Sequence, residues 1–323
     1  MEQNAQSAPG ASRARWILFT IVVVLTGALA SRVITNTFGW VSDTNFWSAG
    51  PGFAVALILA YWILMLTLVA AERRWPAEPK AGTLTNGGAV DFIWLLMTPL
   101  ALALVALYVG VLGWVADVPL AGAHLDLAGL IGPVPAAIAI LLVVDFSVWI
   151  SHIARHRVPL FWRFHSVHHS QTEMGVFTGY RRHFVEIIVT VTFVYIPARL
   201  LDISNEGAVL ISTMVVLFNS FSHANLRINF GPLRWILVSP QSHRVHHSSE
   251  PRHFNRNYGA VLSIWDHFFG FAWHDKSEYP PTGILDPRFP LEERSRAITA
   301  IRFYLRQLVY PFTSLRQVQP KSQ

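Results

Sequence analysis

The sequence contains no cysteine. That excludes disulfides, zinc–thiolate sites, iron–sulfur clusters and thiol nucleophiles, and leaves any metal to nitrogen and oxygen ligands. Charge is also scarce, at 14% of the 323 residues, against about 25% in soluble domains. Lysine is nearly missing, with 3 residues beside 22 arginines. No HExxH segment is present, so the helical zinc-protease pattern is absent, and no glycine-rich phosphate loop opens a helix. Flavin, nicotinamide and haem fingerprints are likewise missing, so electrons for any redox chemistry must come from a separate protein. There is no solenoid-type repeat, and no nucleic-acid partner is expected.

What the chain does have is apolar sequence: 52% of its residues, with a mean hydropathy of +0.38. Runs at residues 16–34, 53–71, 92–116 and 131–150 each approach the ~20 residues that a helix needs to cross a bilayer. The first reads as a retained span rather than a cleavable signal. Arg13 and Arg15 precede the first run, Arg73, Arg74 and Lys80 follow the second, and Arg155, Arg157 and Arg163 follow the fourth. The intervening segments 35–50 and 117–129 carry acids but no Lys or Arg. By the positive-inside rule the basic ends are cytoplasmic. Residues 184–222 read as a hairpin that enters and returns, with Arg199 and Asp202 at its turn leaving a shallow re-entrant pair as the alternative.

The expected fold is therefore all-α, a polytopic transmembrane helical bundle with a cytoplasmic, histidine-rich metal-binding cap. Residues 1–130 would supply N-terminal membrane helices, 131–275 the catalytic region and 276–323 a cytoplasmic tail. In that tail Ile298, Ile301, Leu305 and Leu308 recur at helical spacing, with Arg302 and Arg306 off the stripe. A helix lying on the membrane surface and an ordinary helix packed on the catalytic region fit this pattern equally. A multi-pass protein of this kind would sit in a cell membrane, the inner membrane if the organism is prokaryotic.

Histidine is distributed unevenly: 13 of 14 lie between His152 and His274, and the first 151 residues hold only His124. Three compact groups stand out, His152/His156, His165/His168/His169 and His243/His246/His247. Residues three or four apart on a helix face one way, so each group aims its imidazoles at a common point. Imidazole is available unprotonated near neutral pH and is the commonest protein metal ligand. Eight such residues exceed the roughly four ligands that one tetrahedral ion takes, which implies two metals. A lone HxxxH is more often a surface or core feature, but two HxxHH segments 78 residues apart have few explanations other than metal. All three groups fall at the same, cytoplasmic, end of the expected spans. Pro159 fits a break between a spanning helix and a second helix along the surface.

With its HxxxH, HxxHH and second HxxHH in this order, the sequence resembles the fatty acid hydroxylase and sterol desaturase superfamily. The resemblance runs from about Asp145 to Phe271 and takes in Arg182-His183, Ser222-His223-Ala224-Asn225, Ser239-Pro240, Asn257-Tyr258-Gly259, Trp265-Asp266 and Phe269-Gly270. Phe184 and Phe271 depart from the proline and threonine that members often carry there. Neither is a proposed ligand.

The resemblance implies two irons held mainly by histidine, reduced by an external electron-donor protein and reacting with O2 to hydroxylate or desaturate a C–H bond of a membrane lipid. Zinc or copper can bind such nitrogen sites at least as tightly, so zinc can replace iron in a purified sample. Soluble di-iron bundles use paired Glu-x-x-His motifs, and here only Glu250-Pro251-Arg252-His253 has that spacing. His223 is the candidate ninth ligand, and His183 is a weaker one. Asp145, on the helical face of His152, is a candidate to accept a hydrogen bond from a ligand's second nitrogen, as are Asn225 and Asp266. A metal transporter would carry ionisable ligands at the bilayer midplane rather than at one end. A zinc-binding membrane protein with a structural or hydrolytic role is the alternative.

Overall fold

Long apolar runs must satisfy their own backbone hydrogen bonds where water is absent, and helix is the single-segment solution. The computed structural model describes residues 50–116, 125–201, 203, 205–291 and 297–313. Among them the secondary structure is helical, with sheet-like pairing confined to isolated bridges such as Leu237 with Leu262. The chain divides into two compact units, residues 1–59 and 60–323. Of the first, only residues 50–59, the opening turns of a helix, are described. The expected first span, at residues 16–34, lies outside the described residues, as do His124 and Asp202.

Helix α1 covers Gly50–Arg74, α2 Asn86–Ala116, α3 Leu127–Ile131 and α4 Pro133–Arg157. Two of these, α2 and α4, are long and apolar enough to cross a membrane. Their outward side chains are what hydrocarbon would demand: Leu107 and Trp114 on α2 and Val134 and Ile138 on α4 are all exposed. Helix α4 stops where Val158 turns extended, and Pro159, preset for a first helical turn, starts α5 (Pro159–His169). The break expected at this proline is present.

Where the hairpin was expected, residues 184–222 hold two successive helices, α6 (Phe184–Leu200) and α7 (Asn205–His223). At the turn end the N–H of Leu125 donates to Leu200 O at 2.8 Å. At the other end the 3-10 turn Val176–Tyr180 meets the last turn of α7. A Cβ on Gly179 would lie 2.1 Å from the Asn219 side chain and 3.3 Å from His223 Nδ1, so only glycine permits that approach. The remaining helices are short, α8 (Pro240–His246) and α9 (Ile264–Phe268), apart from α10 (Ala297–Thr313).

Helix α10 packs through Ala300, Phe303, Tyr304 and Tyr310 onto Val90 and Trp94 of α2 and Val167 of α5. The stripe expected from its sequence divides, with Leu308 packed against this cluster and the others described turned away from it. Ile301 and Leu305 are exposed and Leu308 is half-buried, while the side chain of Ile298 lies outside the described residues. Beneath α10 runs a buried polar network. Arg181 Nε donates to Asp91 at 2.5 Å, and Asp91 also accepts from Gln171 at 2.6 Å and Thr178 at 2.8 Å. Gln307 accepts from Trp94 Nε1 at 3.1 Å and from Arg181 at 3.2 Å. The tail helix is thereby tied to the segment that directly follows His169.

A second buried carboxylate joins three further stretches. Glu72, near the end of α1, accepts the N–H groups of Asn225 at 2.8 Å, Val176 at 2.9 Å and Thr83 at 3.1 Å. Replacing it with alanine leaves the buried N–H groups of Asn225 and Thr83 without partners, each costing about 1–3 kcal/mol, and leaves Val176 N with Thr83 Oγ1 alone at 3.0 Å. Glu72→Ala is expected to lower the Tm of the detergent-solubilised protein by roughly 4 °C or more. An unchanged Tm in differential scanning fluorimetry would show that these donors find other acceptors.

Candidate metal centre

Four elements deliver histidines to one place. Helix α4 presents His152 and His156 one turn apart, and α5, starting after the proline break, presents His165, His168 and His169. His223 is the last residue of α7. Helix α8 is seven residues long and needs its cap: Ser239 Oγ accepts from Ser242 N at 3.1 Å while Ser242 Oγ accepts from Ser239 N at 2.9 Å. This reciprocal box, with Pro240 at the first turn, satisfies donors that so short a helix would leave open. It aims His243 and His246, with His247 at the C-cap.

The nine histidines sort into two buried groups, His152, His156, His165, His169 and His246 in one, and His168, His223, His243 and His247 in the other. Within each group one nitrogen from every ring lies within 4.8 Å of all the others. His165 Nε2 is 3.1 Å from His152 Nε2 and 3.2 Å from both His156 Nε2 and His169 Nε2. In the second group His223 Nε2 is 3.2 Å from His168 Nε2 and 3.0 Å from His243 Nε2. The groups adjoin, since the rings of His169 and His247 stack at 4.2 Å.

Hydrogen bonds alone cannot satisfy this arrangement. A carbonyl oxygen can only accept, so a ring nitrogen facing one must carry the hydrogen. His152 Nδ1 faces Tyr258 O at 2.7 Å, His246 Nδ1 faces Arg256 O at 2.8 Å and His223 Nδ1 faces Asn219 O at 2.6 Å. His165 Nδ1 lies 3.2 Å from Glu186 Oε1. In the neutral rings of His152, His223 and His246 Nε2 is then a bare lone pair pointing into the cluster, whereas His165 Nδ1 makes no hydrogen bond. His246 Nε2 and both nitrogens of His247 are buried without partners. Ligands about 2.1 Å from one ion would lie roughly 3.0 Å apart at right angles and 3.4 Å apart in a tetrahedron. The spacings of 3.0–3.2 Å fall in that range, so the donor set fits a metal ion in each group.

Electrostatics favour the same state. Burial, followed by neighbouring imidazoles and arginines, holds His165, His168, His169, His243 and His247 well below their ordinary pKa. His246 is lowered by burial to about 4, its bond to Arg256 O opposing the shift. These rings are neutral at pH 7 and available as ligands.

The backbone acceptors have a local cause. Asn255 and Asn257 sit in the left-handed region, at φ 62° and 56°, which asparagine tolerates better than most residues. The loop they shape carries the carbonyls of both Arg256 and Tyr258. Asp266 fixes the same loop from behind, accepting Tyr258 N at 2.9 Å, Gly259 N at 2.7 Å and Trp149 Nε1 at 2.9 Å. It acts on His152 through the Tyr258 peptide rather than by touching the ring.

Two expected contacts are placed differently. Asp145 does not accept from a histidine: its carboxylate accepts Trp265 Nε1 at 2.8 Å and Leu262 N at 3.5 Å. Seven residues along a helix restore the face but separate the positions by about 10.5 Å along the axis, beyond hydrogen-bond reach of His152. Asn225 also serves the fold, bonding Glu78 N at 3.0 Å, Ala81 O at 3.0 Å and Arg244 at 3.2 Å. His183 stands outside both groups and caps α6, its Nδ1 accepting Val185 N at 3.1 Å. Glu250, His253 and Glu278 converge as well, but Arg252 lies 2.8 Å from both carboxylates and already compensates their charge.

Glu186 is the residue that sequence reading missed. It is buried in the first turn of α6, 2.6 Å from Arg155, 3.1 Å from Arg182 and 3.2 Å from His165. Its only sequence signal is a lone acid inside an otherwise apolar run. A carboxylate behind a ligand imidazole fixes the tautomer and strengthens the donor, and its loss costs about 10–100-fold in metal affinity. Glu186→Gln is expected to weaken metal retention by that factor in a chelator competition, with Glu186→Asp recovering part of it. Wild-type retention in Glu186→Gln would remove Glu186 from the support of the site.

Comparison with known proteins places this geometry in a family. Residues 137–271 match the fatty acid hydroxylase family. Ornithine lipid hydroxylase OlsE of Rhizobium tropici is 32% identical over 130 residues, 40% of this chain and 39% of its own. Alkylglycerol monooxygenase of Xenopus tropicalis is 36% identical over 129 residues, 40% of this chain and 28% of its own. The fatty acid hydroxylase vlmA of a Lecanicillium species is 29% identical over 158 residues, 44% and 43% of the two chains. The match thus spans well under half of each of these relatives. No solved structure matches. The matched region holds both histidine groups, Glu186 and the loop that orients His152 and His246, so it is this part of the chain that is similar to the fatty acid hydroxylase family.

Proposed function

We propose that the protein is a multi-pass membrane enzyme that hydroxylates a C–H bond of a lipid with O2, using one iron in each histidine group. The observation that carries the reading is the pair of adjoining, buried, all-imidazole groups of five and four. The relatives, named as lipid and alkyl-chain hydroxylases and monooxygenases, support an alkyl or acyl chain as the oxidised part. Bound there, iron would supply the redox chemistry: O2, two electrons from an external donor protein and two protons convert R–H to R–OH and water.

The chain's own residues hold the geometry for that chemistry. Five to four nitrogens per group leave room for a small molecule at an ion that accepts six ligands. Tyr258 O, Arg256 O and Asn219 O keep three ring hydrogens outside the cluster, and the Glu186 carboxylate lies behind His165. A hydrolytic zinc enzyme needs a carboxylate free to act as base, but Glu186 is engaged by Arg155 and Arg182. Exposed apolar side chains on α2 and α4 support sideways entry of substrate from the bilayer, with both groups at the cytoplasmic boundary.

Metal dependence separates iron oxidation from a zinc role. Purified anaerobically with iron, the full chain is expected to hold close to two irons and to consume O2 only with an electron donor and lipid present. Zinc, which has no accessible redox change, should preserve the fold and abolish turnover, as should His152→Ala or His246→Ala, while His124→Ala should have little effect. Full activity with zinc, or one iron at saturating supply, would overturn the proposal.

Topology supplies an independent test. The 117–124 segment and the histidine groups lie at opposite ends of α4 in this reading, so reporter fusions after residues 120 and 175 should report opposite sides of the membrane. The same side for both would remove the assigned span order.

A further inference from the structure

Helix α10 has two faces, and the helices beneath it cover one of them. Ala300, Phe303, Tyr304, Gln307 and Tyr310, on the packing side, are buried. Ile301, Leu305, Val309 and Phe312 recur every three or four residues on the other side, and each is 52–53% exposed. Four large apolar side chains in one row on a 17-residue helix make a continuous stripe that calls for an apolar partner. Arg302 and Arg306 are exposed as well. Each stands one position after a stripe residue, so at about 3.6 residues per turn both fall along the same flank of the stripe.

What meets this stripe follows from the height at which α10 is held. The Tyr304 ring packs edge-on against Trp94 of α2 at 4.7 Å. Phe312 packs against Phe164 of α5 at 5.4 Å and against His183, the N-cap of α6, at 5.7 Å. Trp94 lies in the first third of α2, and the row of large exposed apolar side chains on that helix begins just beyond it, at Met97 and Leu100. Helix α10 therefore crosses the starts of two apolar helices, at the level where the outward surface of α2 turns apolar. At the corresponding boundary of a bilayer, phosphates lie above acyl chains. An apolar stripe sinks into the chains there, while the stems of flanking arginines lie along it and carry their guanidinium groups outward. Anionic lipid supplies the complementary charge.

We propose that the outer face of α10 docks on the cytoplasmic leaflet, with Ile301, Leu305, Val309 and Phe312 among the acyl chains and Arg302 and Arg306 on the phosphates of anionic phospholipid. The choice of leaflet rests on the membrane reading above. The inner face of the same helix carries Gln307, which accepts from Arg181 at 3.2 Å, and Arg181 reaches Ser170, directly after His169. Docking thus fixes the height of α5 and its histidines on the bilayer.

Because the chain has no cysteine, one introduced thiol carries a single environment-sensitive fluorescent label. Leu305→Cys is labelled in the metal-loaded full chain, with Leu107→Cys on α2 as the span control and Ser277→Cys, at an exposed position, as the water control. Each protein is placed in nanodiscs of phosphatidylcholine, alone or in equal parts with phosphatidylglycerol. The Leu305→Cys label should be blue-shifted, quenched by nitroxide on the lipid chains and shielded from iodide, like the label on Leu107→Cys and unlike that on Ser277→Cys. In competition between nitroxide-bearing lipids, phosphatidylglycerol should be preferred beside it by about fivefold or more. High salt should weaken that preference, and Arg302→Gln/Arg306→Gln should abolish it at unchanged metal content. Iodide quenching of Leu305→Cys to the level of Ser277→Cys, with Leu107→Cys in lipid, would overturn the docking and leave the membrane reading standing; iodide reaching Leu107→Cys as well would overturn both. Shielding of Leu305→Cys from iodide and nitroxide lipid alike would overturn the lipid assignment and show that protein covers the stripe. Equal quenching by the two lipids, or a preference that survives in the double variant, would overturn the pairing of the arginines with phosphate.

Discussion

Repulsion among ring-nitrogen lone pairs is the constraint around which the second half of the chain is organised. In His152, His223 and His246 the outer nitrogen faces an oxygen that can only accept, so the inner nitrogen has no hydrogen to share. Several bare nitrogens at 3.0–3.2 Å with no cation among them would each be a buried acceptor without a donor. Unmade bonds of that kind cost about 1–3 kcal/mol apiece, a large fraction of the 5–15 kcal/mol by which a domain is stable. Folding and metal binding are thus linked.

That linkage explains why so much of the surrounding structure fixes hydrogens rather than contacts. The left-handed asparagines at 255 and 257 shape a loop whose carbonyls face two ligands, and Asp266 holds that loop to α4 through Trp149. Gly259 belongs to the same device. A Cβ there would lie 2.6 Å from Leu262 O and 3.1 Å from Asp266 Oδ2. Because these imidazoles are neutral, the charge of an ion bound among them would be answered at a distance by Glu186, whose charge is already shared with Arg155 and Arg182. Such a site would hold metal through many moderate donors rather than through paired charge.

The histidines were legible because spacing of three and four residues is itself geometry on a helix, and the proline break between α4 and α5 was legible for the same reason. Their division into groups was not. His168 and His169 are neighbours in sequence yet serve different groups, a result of their pointing to different sides of α5. Asp145 shows the limit of reading a face without a height. Glu186 depends on a pairing with α5 that no local pattern encodes, and backbone carbonyls leave no residue type to read. The tail helix illustrates a further limit: the stripe of Ile301 and Leu305 was visible, but the face that packs is built from Phe303, Tyr304, Gln307 and Tyr310.

That choice of face has a physical reason. Apolar residues can face either a core or a bilayer, whereas Gln307 can be buried only where its amide is answered. Its oxygen accepts from Trp94 and Arg181, and its nitrogen donates to Pro290 O at 3.1 Å. The buried Arg181–Asp91 pair that meets it also gathers Gln171 and Thr178, and Arg181 reaches Ser170 at 3.3 Å. Breaking one partner of such a pair costs about 3–5 kcal/mol because the other charge stays buried. Polar satisfaction therefore fixes the rotation of α10, leaves its aliphatic stripe turned outward, and fastens the residues directly after His169. The tail helix, some 130 residues further along the chain, thereby becomes part of what holds the histidines of α5 in register.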